Sequence, residues 1–434
     1  MNSGNSTWES SIDVASLSDV GMRRNNNQDN LAISMASSAD KWAKQGHLFV
    51  VADGMGAHAA GELASKLAVD HVPHLYARSS ELSAPEALKK AVEDANAEVH
   101  RRGQMNEDFH NMGTTLSSLL LLPQGAVIAH IGDSRVYRLR QNKLEQLTFD
   151  HSLVWEMKAA GQLTAEEEAA GKVPSNVITR SLGPYAECKV DLEGPFPVVV
   201  GDTFLLCSDG LTGVVSDAEI AAFLANMPPA EAVRVLVDLA NLRGGPDNIT
   251  VIVAKATGQE MATSTSAKAI RVNSRKGDYS VSPIVWAIFG VSLLLTLFMA
   301  FNGNLYASML PGVVALGTGL YGLFRVLMGA SSGEKIVQGK AFGKGPYTRT
   351  VCGSGDQVAK QLAAILKKLQ LGAVQQDWNV DWKQLKAKVA QAKQSLEKGN
   401  ASLAVRDYGG SISFLMDQLR NQHSERGAGS SIDL

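Results

Sequence analysis

The chain has 434 residues, 45% of them apolar, which is more than one ordinary domain needs and enough for a sizeable core. Its formal net charge of -2 lacks the basic excess that polyanion binders carry, so nucleic acid is excluded as an expected partner. Three cysteines, Cys188, Cys207 and Cys352, with no CxxC spacing, make neither a disulfide framework nor a zinc-thiolate site and fit a reducing compartment.

In chain order, MNSGNSTWESS has no basic segment followed by an apolar run, so no signal peptide is expected; residues 1–10 read as disordered and the domain after them as cytoplasmic. From Ile12 to Ala256, β-branched apolar runs alternate with helical patterns. HLFVVAD is followed by a helix from about Gly61 to Arg78 and another from Ala84 to Arg102. The runs TTLSSLLLL, AVIAHIGD, SRVYRLR and KLEQLT then follow without helices between them. That order predicts antiparallel meanders and sheet-on-sheet packing, with the two helices over an outer face.

Residues 257–282 turn to Thr, Ser, Ala, Gly and scattered basic residues and read as a linker. PIVWAIFGVSLLLTLFMAF, Pro283 to Phe301, is about 19 residues without a charge, long enough to cross a bilayer as a helix. A second apolar run, roughly Leu305 to Met328, holds Pro311, several glycines and Arg325 near one end, all tolerated in membrane helices. It makes 283–328 a hairpin of two spans in contact with lipid. Lys268, Arg271, Arg275 and Lys276 before the first span, and Arg325, Lys335, Lys340 and Lys344 at or after the second, place both termini in the cytoplasm. Residues 329–356 read as a second linker. The tail, 357–423, carries Leu385, Val389 and Ala392 on one side, Gly399 as a helix stop, then Leu403, Tyr408, Ile412 and Leu415. It reads as a small α-hairpin that packs or docks a partner protein, with 424–434 disordered.

Three apolar runs end on an aspartate: HLFVVAD at Asp53, AVIAHIGD at Asp133 and TFLLCSD at Asp209. A fourth run, NITVIV, begins just after Asp247. One such aspartate is usually a turn residue bonding nearby amides. Strand ends, however, set side chains at a sheet rim, where several can converge on one point while buried strands hold them. Converging carboxylates repel unless cations neutralise them. Oxygen donors alone select hard octahedral cations such as magnesium or manganese and disfavour zinc.

The segments SDVGMRRNNNQDN, VADGMGAH, GTT, GDSR, ITRSLG, CSDGL and GPDNIT, in that order across about residues 10 to 256, resemble the bacterial branch of the metal-dependent (type 2C, PPM) protein phosphatases. The resemblance implies two divalent metal ions, manganese or magnesium, and a third, weaker one. Asp53 would bridge two metals with the Gly54 carbonyl completing one shell, Asp209 and Asp247 would ligate the other, and Asp29 would orient metal-bound water. Arg24 falls on the family's phosphate-clamping arginine, with Arg23 a solvated neighbour, and Asp133 on the residue that helps hold the third metal. Asp150 to about Asn176 corresponds to the variable flap, where substrate selection is expected. Three departures stand out: Gln28 where many members carry Glu, Met55 where animal members carry a histidine thought to be the general acid, and Ala57 in place of a glycine. His58 is a candidate for that acid role.

The fold expected is therefore α+β, a central antiparallel β-sandwich flanked by helices in α-β-β-α layers over 11–256, followed by transmembrane helices and the α-helical tail. The function expected is metal-dependent hydrolysis of phosphoserine and phosphothreonine on proteins, at the cytoplasmic face of a bacterial inner membrane. The alternatives are a catalytically weak phosphoprotein-binding scaffold, against which the retained aspartates argue, and a partner-switching regulator phosphatase, against which Arg24 argues. Residues 1–256 alone are expected to be soluble and active.

Overall fold

The computed structural model describes residues 11–56, 59–174, 176–264, 270–273, 282–330, 334–337, 342–353, 355–375 and 378–428. Residues 1–10, Ala57 and His58, about which the sequence raised expectations, lie outside them.

The chain enters through β1 (Ile12–Asp19) and β2 (Asp29–Ser34), passes the short helix α1 (Ala39–Gln45), and returns along β3 (His47–Met55). Helices α2 (Ala60–Arg78) and α3 (Ala84–Met105) follow at the expected places. Pro85 opens α3, and Ser83 with Glu86 closes a reciprocal capping box there, which satisfies amides that the first helical turn leaves without partners. Five strands then run without a helix between them: β4 (Gly113–Thr114), β5 (Leu116–Leu122), β6 (Gly125–Ile131), β7 (Arg135–Arg140) and β8 (Lys143–Gln146). After α4 (Leu153–Ala159) and α5 (Ala165–Ala169) come β9 (Asp191–Phe196), β10 (Thr203–Cys207), the one-turn α6 (Asp209–Thr212), α7 (Asp217–Asn226), α8 (Pro229–Leu242) and β11 (Ile249–Ala256).

A separate unit, residues 269–338, holds β12 (Ile270–Asn273), α9 (Pro283–Phe301), α10 (Leu305–Ala330) and β13 (Glu334–Val337), with β12 and β13 paired antiparallel. The chain then rejoins the first unit as β14 (Thr348–Val351), α11 (Gly355–Gln375), α12 (Trp382–Glu397) and α13 (Ala401–Ala428).

Two antiparallel sheets face each other. One runs β1-β11-β10-β7-β8-β14; the other runs β2-β3-β5-β6-β9, with β4 on β3. The period of two along each strand decides what goes where. On β10, Phe204 and Leu206 join Phe49, Val51, Leu119, Ile128 and Ile252 between the sheets, while Leu205 and Cys207 point outward to α7 and α8. Each fully buried side chain of this kind contributes about 1.5–3 kcal/mol. The α2–α3 pair covers the second sheet, so the α-β-β-α layering is present.

The C-terminal region departs from expectation. The stretch read as a linker over 329–356 contains β14, which pairs with β8 in the register Thr348↔Gln146 to Val351↔Lys143 and so extends the first sheet. Just before it, Glu193, which is 2% exposed, accepts from Gly345 N at 2.9 Å and from the Tyr347 hydroxyl. The tail is three helices instead of a hairpin, and its last helix runs to Ala428, beyond 423. Val358, Leu362, Val405, Tyr408 and Ile412 share one apolar cluster with Leu236, Val237 and Phe223 of α8 and α7. An amphipathic stripe needs a partner surface, and here it is the outer face of α7 and α8.

Candidate active site

The aspartates singled out by the sequence meet at one end of the sandwich. Asp29 opens β2 directly across from Asp53 on β3, a cross-strand pair set by the register of the two strands. Asp209 starts α6 just past β10, Asp133 follows β6, and Asp247 precedes β11. All four other carboxylates act electrostatically on Asp53.

Their backbones are locked. Asp53 N donates to Thr115 Oγ1 at 3.0 Å, and Asp53 O accepts from Thr115 N and Thr114 Oγ1, both at 2.8 Å. Gly54 N donates to Gln28 O at 3.1 Å, and a Cβ on Gly54 would lie 2.1 Å from Gly61 O, so only glycine fits this crossing. Asn248 is the second clamp. Its Oδ1 accepts from Gln28 N at 2.9 Å, and its Nδ2 donates to Val20 O at 2.9 Å and Asn26 O at 3.0 Å, tying the 20–28 loop to the base of β11. Ser208 Oγ donates to Asp29 Oδ2 at 2.7 Å and accepts from Thr250 N at 3.0 Å. The sequence named the motifs that contain Ser208, Asn248 and Thr115 but not these roles.

Arg24 Nη2 donates to Asp247 Oδ2 at 2.8 Å, and both side chains are substantially exposed, so the guanidinium stands at the mouth of the acid cluster. Arg23 is exposed, as expected. Asp150, which the sequence assigned to the flap, belongs instead to the buried scaffold: Arg135 grips both of its oxygens at 2.9 and 3.1 Å. His151 accepts from Gly132 N through Nδ1 at 3.0 Å and meets Asp191 Oδ2 through Nε2 at 3.0 Å, which holds the Gly132–Asp133 turn. The rest of the stretch expected to form the flap carries α4 and α5.

Arg135 and Arg24 offset only part of the charge gathered here. Burial, then the neighbouring carboxylates, pushes Asp29 up to about 7 and Asp133 up to about 7. Burial and the Asp29 charge hold Asp53 well above the usual carboxylate range, and burial with Asp247 raises Asp209. Asp29 Oδ1, Asp133 Oδ1 and Asp209 Oδ1 are buried without a hydrogen-bond partner.

This donor set fits divalent cations: every ligand is oxygen, three of those oxygens are orphaned, and positive charge is what the cluster lacks. As the side chains stand, no three carboxyl, imidazole or thiol groups among the described residues form a closed ligand cage. A cavity of about 300 Å³ elsewhere, between α8 and the tail, is lined by two ion pairs, Arg406 with Glu231 and Arg234 with Asp417, and by Lys388, which lies over the Phe414 ring.

Known proteins resemble the chain over its N-terminal part. The chain is 37% identical over 255 residues to protein phosphatase PhpP of Streptococcus pneumoniae, covering 57% of this chain and 99% of that protein. The serine/threonine phosphatase of S. agalactiae superposes with a TM-score of 0.51 at 36% identity, over 56% of this chain and 99% of that one. The catalytic domain of the serine threonine protein phosphatase PstP, solved in complex with 2 manganese ions, is 35% identical over 57% of this chain and 98% of that one, with a TM-score of 0.49. Sandwich and acid rim together define a protein phosphatase of the 2C class, and the chain belongs to the protein phosphatase 2C family, whose model matches residues 23–238.

Proposed function

We propose that this chain hydrolyses phosphoserine and phosphothreonine on proteins at the cytoplasmic face of a bacterial inner membrane. The observation that carries the reading is the convergence of Asp29, Asp53, Asp133, Asp209 and Asp247 at one sheet end, three of them with a buried oxygen that has no hydrogen-bond partner.

Asp53, Asp209 and Asp247, with the Gly54 carbonyl, would hold two divalent cations, manganese or magnesium, and Asp133 a third. When bound, such ions supply an activated water nucleophile and offset charge on the phosphoryl oxygens. Arg24 presents a planar guanidinium, anchored by Asp247 on one side, whose remaining donors bind two phosphoryl oxygens. Asp29, oriented through Oδ2 by Ser208, keeps Oδ1 for the proton of the attacking water. Gln28 contributes its main chain to the clamp, so its amide side chain in place of a carboxylate lowers the local negative charge without loosening the loop.

Membrane attachment is supported by α9 and α10, both long and apolar enough to span a bilayer; none of the Ile284–Phe301 window is buried by protein. Phe298, Phe301, Tyr306 and Leu310 are each more than two-thirds exposed, a surface suited to lipid. The basic residues flanking the pair favour both ends in the cytoplasm. Asp209→Asn, which removes a ligand charge without changing size, tests the reading: manganese-dependent turnover of a phosphothreonine peptide should fall about a hundredfold or more. Undiminished turnover would refute the site.

A further inference from the structure

The Arg24 loop is tied at its start to the C-terminal tail. Arg420, on α13, donates through Nη2 to Asp19 Oδ2 at 3.1 Å and through Nη1 to Asp238 Oδ1 at 2.7 Å. Asp238 lies fully buried on α8, so it anchors one arm of the guanidinium to the catalytic unit. The other arm meets a residue with a different task. Asp19 ends β1, and its Oδ1 accepts from Gly21 N at 2.9 Å and from Asn241 Nδ2 at 3.0 Å.

That turn bears directly on the site. Gly21 has φ +80, and a Cβ there would lie 2.2 Å from the Asp247 carbonyl oxygen, so the turn packs on the backbone of the residue that holds Arg24. Met22 N donates to Gly245 O at 2.9 Å and extends the contact. The chain of contacts therefore runs from Arg420 to Asp19, from Asp19 to the Gly21 turn, and from there to the Asp247–Arg24 pair. A forked guanidinium suits the task, because two donors point at two carboxylates at once, which an ammonium does less well.

We infer that Arg420 is a positioning residue for substrate binding: the docked tail holds the Asp19 turn and, through it, the phosphate-binding Arg24. The inference rests on the reading of Arg24 as the phosphate clamp. Undocking of α13 then weakens substrate binding without removing any residue of the acid rim. Other ion pairs join the tail to α8 without involving residues 19–28, namely Arg406 with Glu231 and Asp417 with Arg234. They supply a matched control for docking as such.

The test measures KM and kcat separately for full-length protein in detergent, with manganese and a phosphothreonine peptide. Arg420→Ala should raise KM about threefold to tenfold with kcat within about twofold of wild type, and Arg420→Lys should fall between. Arg406→Ala should keep the wild-type KM. Asp19→Asn keeps an oxygen for Gly21 N but turns an amide NH2 toward Arg420; it breaks this one link and should reproduce the KM rise, which keeps the test decisive if Arg420→Ala does not fold. A wild-type KM in Asp19→Asn, or an equal KM rise in Arg406→Ala, overturns the inference. Arg24→Ala separates the two readings: if its KM is unchanged the clamp assignment fails, whereas a raised KM there beside a normal one in Asp19→Asn sinks only the role of Arg420.

Discussion

Buried carboxylates occur in two regions of this molecule, and the fold treats them in opposite ways. Along the first sheet and α8, Asp202 is met by Arg140 at 2.6 and 2.7 Å, Asp150 by Arg135, Glu145 by Arg138 and Arg349, and Asp238 by Arg420. At the rim, no arginine or lysine among the described residues forms an ion pair with Asp29, Asp53, Asp133 or Asp209. A buried charge without a partner costs several kcal/mol, so four in one place are not explained by stability. The contrast separates acids that hold the fold from acids that we read as the cation site.

Substitutions that remove a charge in the two regions should therefore act in opposite directions on stability. The largest effect is expected on turnover, where Asp53→Asn abolishes detectable manganese-dependent hydrolysis while the circular dichroism spectrum stays that of wild type. Next comes the paired region: Arg140→Ala strands the fully buried Asp202, and chemical denaturation should show a loss of about 2–3 kcal/mol with kcat unchanged. Smaller again, and opposite in sign, Asp29→Asn should stabilise the metal-free protein by about 1 kcal/mol at pH 8, since it removes a charge that burial disfavours.

The pH dependence sharpens the same point. Asp29 and Asp133 are raised from 3.8 to about 7, so their contribution to stability is fully present below the unfolded pKa and is lost as pH rises through the folded one. Metal-free protein should lose melting temperature between about pH 4 and about pH 7 for this reason, and the loss should be smaller in Asp29→Asn. A parallel decline in both proteins would show that Asp29 is not perturbed. The smallest effect belongs to the exposed Arg406–Glu231 pair, whose removal should leave the denaturation midpoint at the wild-type value in the same assay.

Four acids of the rim, Asp53, Asp133, Asp209 and Asp247, were legible in the sequence because each lies at the end or the start of a strand-like run, a local pattern, whereas Asp29 was pointed to only by the family resemblance. The clamps were not: Asn248 acts on residues more than two hundred positions away, and nothing in the GPDNIT segment says where its amide points. The tail shows both sides of this limit. Gly399, with φ +75, does separate two helices as its position suggested, since a glycine is suited to that left-handed turn. The docking of those helices on α7 and α8, and the pairing of β14 with a strand about two hundred residues earlier, depend on surfaces that only the folded chain brings together. The idea of a self-sufficient fragment of residues 1–256 changes accordingly: without the tail, Leu236 and Val237 lose part of their apolar cover, and a lower melting temperature than that of the full chain is expected.

Calorimetric titration of the metal-free full-length protein with manganese near pH 6.5, in two buffers of different ionisation enthalpy, tests the central claim most directly. If the unpaired aspartates are a cation site, binding releases protons from carboxyls that burial has kept partly protonated. The observed heat then differs between buffers, and Asp53→Asn loses the binding while Arg140→Ala keeps it. Binding that is absent in wild type, or that persists unchanged in Asp53→Asn, would contradict the account.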